Sequence, residues 1–359
     1  MPAQTVGRRQ LPLLPDQPPG ASPASAPSAF PALAERATTR YLAYEPREIL
    51  NSPGATHMGF WSINPYVGCE FGCSYCYARD THRWAIQRAR DAGRLDTDPA
   101  WSGLTPAQLF EQRILVKQDA AAILRRTLQP SVIGSTEIVI GTATDCYQPA
   151  ERRLGITRSV LETLLEWRDL RIGIITKSPL ITRDLELLVA LAAQHTLRIH
   201  ISLATTDPII ARKLEPRTPL PHARIRALKK LLAAGLNADL LVAPVVPLLT
   251  DSKEALARLM AAARDAGASR VHVVPLRLGD AARRQFLPHL ARLFPEFADR
   301  YAAHFAAGPN VHRLYADALA RRARALRKVY GLSDESLSQR RMGNAAMRRR
   351  PEEQLQLLT

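Results

Sequence analysis

Six short apolar runs punctuate the chain: GFWSINPYV (59–67), TEIVIG (136–141), LRIGIIT (170–176), TLRIHISL (196–203), NADLLVAPVV (237–246) and SRVHVVPL (269–276). They are rich in β-branched and aromatic residues and mostly continuous rather than alternating. That texture belongs to strands buried on both faces, as in a parallel sheet. Between them apolar positions recur at helical spacing, near 106–128, 155–168, 180–193, 221–234 and 252–266. In the last of these Leu256, Leu259, Met260 and Ala263 keep one face, Asp251 and Ser252 are N-cap candidates, and Gly267 is a natural stop. Alternating strands and helices predict βα units and a parallel sheet. Six units are too few for a closed eightfold barrel. The expected fold class is therefore α/β, a partial (β/α)6 TIM-like barrel with parallel strands over residues 58–280. Helices near 281–292 and 312–330 form a C-terminal helical extension over 281–331, and 332–359 read as a basic flexible tail. Residues 1–57, rich in Pro, Ala and Ser and lacking periodicity, read as a disordered extension.

Composition narrows the class. The 359 residues are 46% hydrophobic, enough for a substantial core, and hold only four cysteines. Three of these fall between positions 69 and 76, a layout unlike a secreted disulfide framework. The N-terminus has no apolar run of signal-peptide type, and no stretch approaches the roughly 20 apolar residues of a membrane span. A cytoplasmic protein with no membrane partner is expected. Net charge is +16, and residues 321–350 hold ten Arg or Lys against two acids. Such a block suits a polyanionic partner, and equally a solvated helix face.

The chemistry concentrates in NPYVGCEFGCSYCYAR (64–79), directly after the first expected strand. Cys69, Cys73 and Cys76 stand at i, i+4 and i+7, and Gly68 and Gly72 allow the backbone to fold tightly around them. Three thiolates are one short of an ordinary four-cysteine iron–sulfur cluster, which leaves one iron open to another ligand. The alternative is a structural zinc site completed by His82. A loop between a strand and a helix of a barrel, where barrel enzymes place their chemistry, favours the cluster.

The segment resembles the radical S-adenosylmethionine superfamily, whose signature is CxxxCxxC with an aromatic, here Tyr75, before the last cysteine. More narrowly, from about residue 59 to 277 it is similar to the spore photoproduct lyase-like branch and its uncharacterised bacterial members. The resemblance implies an enzyme with a [4Fe-4S] cluster on Cys69, Cys73 and Cys76 and S-adenosyl-L-methionine at the open iron. One electron from an external flavodoxin- or ferredoxin-like donor then cleaves the cofactor to methionine and a 5′-deoxyadenosyl radical, which abstracts hydrogen. Whether the overall reaction is lyase- or transferase-like is left open. GTATDCYQPAE (141–151) matches the branch, which implies that Thr142, Thr144 and Asp145 lie near the cofactor. By the same resemblance Lys177 pairs with the methionyl carboxylate, Ser202 is a ribose or carboxylate contact, and Arg217, beside Glu215, is a further anion clamp. PVVPLLTD (244–251) is expected to line the adenine side. In spore photoproduct lyase a cysteine after the second strand donates hydrogen; here Thr142 takes that position. Cys146, four residues later, is the catalytic candidate or a small buried hydrophobe.

The branch and the charge point to nucleic acid, in DNA repair or modification, as substrate. A protein or small molecule is the alternative, and a zinc protein that binds nucleic acid without catalysis a third. In the 312–331 helix Tyr315, Leu319, Ala323, Leu326 and Tyr330 form an apolar stripe, with Arg321, Arg324, Arg327 and Lys328 largely off it. Trp61 and Tyr147 are candidate stacking platforms for bases. Finally, QLQLL (354–358) resembles the peptide by which bacterial repair proteins dock on the sliding clamp, with Gln354, Leu355, Leu357 and Leu358 as contacts.

Overall fold

A computed structural model describes residues 32–36, 38–56, 58–91, 101 and 103–333. Eleven strands lie among them: β1 (Ala32–Arg36), β2 (Thr39–Ala43), β3 (Leu50–Asn51), β4 (Trp61–Ile63), β5 (Tyr66–Val67), β6 (Arg113–Val116), β7 (Ile138–Ile140), β8 (Arg171–Thr176), β9 (Thr196–Ser202), β10 (Ala238–Val245) and β11 (Val271–Pro275). The main sheet runs β11-β10-β9-β8-β7-β4-β3. Its first six members pair in parallel, and β3 caps β4 antiparallel. The expected six-stranded partial barrel is therefore present. Ile138, Ile140, Ile172, Ile174, Ile199 and Leu240 bury one face of it under the outer helices, in a core that also takes Val160, Leu188, Leu228 and Leu256. Ser252 caps the Lys253–Asp265 helix by accepting from the Ala255 amide, and Leu256, Leu259, Met260 and Ala263 are its buried face, as the spacing predicts.

Three expectations need correction. The 59–67 run is not one strand. Pro65 lacks an amide for the ladder, and the chain leaves β4 for a second sheet, ordered β1-β2-β6-β5. The stretch 106–128 is not one helix either: Pro106–Gln112 and Ala120–Thr127 flank β6, whose four residues are all buried. β6 pairs with β2, drawn from the extension expected to be disordered. Ladder partners outside the segment override its local composition. Residues 1–31 lie outside the described residues.

The Arg313–Val329 helix packs Leu319, Ala323 and Leu326 on the barrel. Tyr315 donates to Asp251 in the loop after β10 (3.0 Å), and Arg327 donates to the Val271 carbonyl at the start of β11 (3.1 Å). The helix thus runs from the rim at the strand C-terminal ends down the flank. Arg327 lies against the barrel, although its position off the apolar stripe suggests the solvent side. Among the described residues no helix is long and apolar enough to cross a membrane.

Candidate active site

The three-cysteine loop is held from every side. The Cys69 amide donates to the Phe110 carbonyl (2.9 Å) and the Ser74 amide to the Leu214 carbonyl (3.0 Å). Gly68 (φ +89°) leaves no room for a side chain, because a Cβ there would meet the Phe110 carbonyl at 2.8 Å. Gly72 (φ +59°) is likewise required, since its Cβ would collide with the Arg217 guanidinium. Arg217 donates to the Glu70 carbonyl, and Arg79 to the Cys73 carbonyl (3.1 Å). Both guanidinium groups share one carboxylate, Glu111, so an Arg–Glu–Arg clamp spans the loop. The Glu70 carboxylate takes Tyr41 (2.9 Å) and the Ala150 amide (2.8 Å), tying the loop to β2 and to the segment after β7.

Behind the loop the strand ends carry a second polar layer. Lys177 Nζ donates to Ser202 Oγ (2.9 Å), stands 3.9 Å from Glu215, and lies 6.0 Å from the Tyr75 ring centroid. Glu215 also receives Tyr75 Oη and the fully buried Arg224. Burial alone would raise Glu215, but Arg224 and Lys177 hold its carboxyl below the usual range. Asp145 accepts from Thr176 Oγ (2.7 Å) and from the amides of Lys177 (2.7 Å) and Tyr147 (2.9 Å), which locks the ends of β7 and β8 together. Thr142 shares hydrogen bonds with Ser62 and Asn64, and Thr144 donates to the Gly68 carbonyl (2.6 Å). Tyr75, Lys177 and Ser202 are therefore brought together. Thr142, Thr144 and Asp145 brace the neighbouring loop, and Arg217 latches the cysteine loop rather than joining the Lys177 layer.

The thiols are a donor set in need of a metal. Burial, then Asp145 and Cys76, pushes Cys69 up to about 12. Burial and Glu215 raise Cys73 against the opposing charge of Lys177, and burial raises Cys76 against that of Arg79. Such thiols ionise when a metal binds them. Arg79 Nε and Nη1 are buried without a hydrogen-bond partner, so positive charge is available beside Cys76. His82 does not complete a zinc site. Its ring packs edge-on against Phe110 (5.3 Å), and burial, then Arg79, lowers it to about 3. The cysteine sulfurs and His82 do not gather within 4.8 Å of one another, as ligands of one small ion do. Three thiols on one loop, two of them with a cation nearby, suit an iron–sulfur cluster that leaves one iron open.

The family model described as Radical SAM superfamily matches residues 63–261. The chain belongs to the radical SAM superfamily. An uncharacterized protein of Mycobacterium tuberculosis is 34% identical over 284 residues, covering 79% of this chain and 78% of that one. An uncharacterized protein of Methanocaldococcus jannaschii is 26% identical over 199 residues, covering 55% and 64%. Among solved structures, spore photoproduct lyase complexed with dinucleoside spore photoproduct superposes with a TM-score of 0.58 at 15% identity, over 81% of this chain and 80% of that one. A mutant of that lyase with bound AdoMet and the same dinucleoside gives 0.54 at 16%, over 76% and 75%. These likenesses establish the fold. Radical SAM proteins use a [4Fe-4S] cluster and S-adenosylmethionine, and membership sets aside the non-catalytic zinc reading.

Several residues of this radical SAM site escape sequence reasoning. Glu111 and Glu70 act through partners 29 to 147 positions away, and Arg224 through Glu215 and Ser202, 9 and 22 away, pairings that no motif reveals. The stacking candidates also change. Tyr147 is fully buried with its hydroxyl on Asp184 (3.2 Å), and Trp61 packs against the barrel core. Tyr77, next to Cys76, is 38% exposed at the rim while its hydroxyl turns inward to donate to the Thr142 carbonyl, and the charge of Arg277 reaches it. Its position beside the third cysteine was the available signal. Cys146 is fully buried, its thiol 3.7 Å from the Ile175 carbonyl.

Proposed function

We propose that the radical chemistry of this chain is directed at nucleic acid, as a repair or modification reaction. The observation that carries the reading is the rim: the ring of Tyr77, a residue 38% exposed directly after the third cysteine, is held by its hydroxyl on the Thr142 carbonyl and feels the charge of Arg277. Bases stack on such rings at about 1–3 kcal/mol each. Further support comes from the Arg313–Val329 helix, rooted at the same rim, with five arginines and one lysine against one aspartate. The spore photoproduct lyase structures hold a dinucleoside on the same fold.

In this reading Cys69, Cys73 and Cys76 hold the cluster, and Lys177 and Ser202 receive the anionic end of S-adenosylmethionine. Bound together, cluster and cofactor supply a 5′-deoxyadenosyl radical for hydrogen abstraction. The chain itself fixes geometry and excludes water. Glu215 positions Lys177 and Tyr75, Asp145 fixes the backbone at Lys177, and the Glu111 clamp holds the cysteine loop over the barrel mouth. An external one-electron donor of flavodoxin or ferredoxin type belongs to the same reading. The clamp-binding peptide Gln354–Leu358 lies outside the described residues, and titrating a 346–359 peptide against purified sliding clamp tests it.

The test of the main reading is anaerobic. Reconstituted protein with S-adenosylmethionine and a reductant is assayed for 5′-deoxyadenosine with and without DNA or RNA. Nucleic acid should bind at low salt, bind less as salt rises, and stimulate turnover, and Tyr77→Ala should lose the stimulation. Absence of both binding and stimulation transfers the substrate to a protein or small molecule.

A further inference from the structure

Below the Lys177–Ser202 layer, three adjacent strands turn a histidine, an aspartate and a histidine toward one point inside the barrel. His200 of β9 and Asp239 of β10 are register partners, and His272 of β11 pairs with Leu241 of β10. On β9 Leu197, Ile199 and Ile201 pack outward into the core beneath the helices, so His200 shares the inward face with Ser202. All three residues are buried, Asp239 completely. His200 Nδ1 lies 2.5 Å from Asp239 Oδ1, and His272 Nε2 lies 3.2 Å from Asp239 Oδ2. One ligand atom from each residue falls within 4.8 Å of the other two. The rings meet edge to face with centroids 5.5 Å apart.

Barrel interiors are ordinarily filled with branched aliphatic side chains, and a buried carboxylate is costly unless paired or bound to metal. Ligands about 2.1 Å from a tetrahedral ion stand roughly 3.4 Å from one another. His272 Nε2 and Asp239 Oδ2 match this at 3.2 Å, and His200 Nδ1 and Asp239 Oδ1, at 2.5 Å, part by about 1 Å to admit the ion. Two imidazoles and a carboxylate form a donor set for borderline divalent transition metals. We propose that His200, Asp239 and His272 form a second metal site, separate from the cysteine loop, which takes one such ion and fastens β9, β10 and β11 together. Arg270 limits its affinity. The Arg270 Nε lies 3.8 Å from Asp239 Oδ2, with the guanidinium also bonded to Asn237, so a bound ion meets a cation nearby. The alternative is a metal-free arrangement in which both imidazoles donate to one carboxylate.

The experiment uses full-length, anaerobically reconstituted protein incubated with Co2+ and passed through a desalting column. Cobalt and acid-labile sulfide are counted on the same sample, so that cobalt displacing cluster iron is recognised. Wild type should retain about one cobalt per chain with visible d–d absorption and a raised melting temperature, at unchanged sulfide. His200→Gln and His272→Gln should retain almost none, at unchanged sulfide, and Arg270→Gln should bind cobalt several-fold more tightly. The proposal is overturned if wild type holds no more cobalt than the histidine variants, or if retained cobalt tracks sulfide loss instead. Should the histidine variants fail to fold, Arg270→Gln decides: tighter uptake than wild type supports the site, and no uptake by either protein overturns it.

Discussion

Cys146 and the Cys69–Cys73–Cys76 triplet are the same side chain in similarly dry surroundings, yet their neighbours differ. Burial raises all four thiols. Around the triplet Asp145 acts on Cys69 and Glu215 on Cys73, but Lys177 opposes the rise at Cys73 and Arg79 opposes it at Cys76. Around Cys146 the strongest charges are Asp145 and Glu151, both anionic, and they add to the effect of burial. Cys146 also belongs to the main core with Ile140, Ile174 and Val160, whereas the triplet lines a separate cluster with Phe71, Phe110 and Leu214. Ligand capacity in this chain follows from a foldable loop that gathers three thiols, two of them with a cation nearby. Burial alone does not provide it.

The largest effect that sharpens this contrast is loss of the cluster. Reconstituted protein should hold about four irons and four sulfides per chain, and Cys69→Ala, Cys73→Ala or Cys76→Ala should each abolish it. Cys146→Ala should leave iron and sulfide at the wild-type level, measured by metal and acid-labile sulfide analysis. Because burial holds Cys69 up to about 12 before metal arrives, its proton must leave as iron binds. Cluster assembly should therefore speed up as pH rises from 7 to 9, and a pH-independent rate would show the thiols already ionised.

Next in size is the cation beside Cys73. Lys177→Ala removes the charged group placed on Ser202, and a charge-assisted hydrogen bond of about 1.5–3 kcal/mol corresponds to a ten- to hundredfold fall in S-adenosylmethionine affinity. Equilibrium binding to the reconstituted variant, with iron content confirmed, measures it. Unchanged affinity would remove Lys177 from the cofactor site and leave it as the half-buried partner of Glu215.

A smaller effect belongs to the clamp. Glu111→Gln keeps shape and removes the charge that gathers Arg79 and Arg217 over the loop. Cluster loss to a chelator should accelerate several-fold while initial iron content stays near normal, since each guanidinium keeps its carbonyl contact. Equal chelation rates would mean the backbone anchors at Phe110 and Leu214 suffice.

How far the sequence foretells these features depends on range. The cysteine spacing, the two glycines and five of the six strand runs are local patterns that appear in the structure where expected, and only the 59–67 run divides, between β4 and β5. Lys177 and Ser202 sit at consecutive strand ends, so barrel topology alone brings them together. The second sheet is different. β2 and β6 look like a polar extension and part of a helix until each supplies the other's hydrogen bonds. Glu111 is unreadable for the same reason: its role comes from Arg79 and Arg217, 32 and 106 positions away. Arg217, expected to face the cofactor, is claimed instead by the Glu70 carbonyl and Glu111.

The smallest expected effect concerns Cys146 itself. Its thiol fills a core position between β7 and β8, near enough to Gly141 that a Cβ on that glycine would stand 3.1 Å from the sulfur. Cys146→Ala deletes one buried sulfur atom, and a small cavity of this kind costs about 1 kcal/mol, a fall of roughly 2–4 °C in melting temperature for a domain this large. Thermal unfolding under anaerobic conditions measures the cost. Cys146→Ser should cost more than Cys146→Ala. Its hydroxyl keeps the volume but places a stronger polar group where the Ile175 carbonyl, at 3.7 Å from the present sulfur, is too distant for a good hydrogen bond. If Cys146 acts only by packing, 5′-deoxyadenosine formation per cluster should match wild type in both variants. A catalytic role would show as altered turnover in both at unchanged cluster content. The contrast with the triplet would then break on the side of Cys146, because a thiol surrounded by anions and hydrocarbon would be taking part in the chemistry.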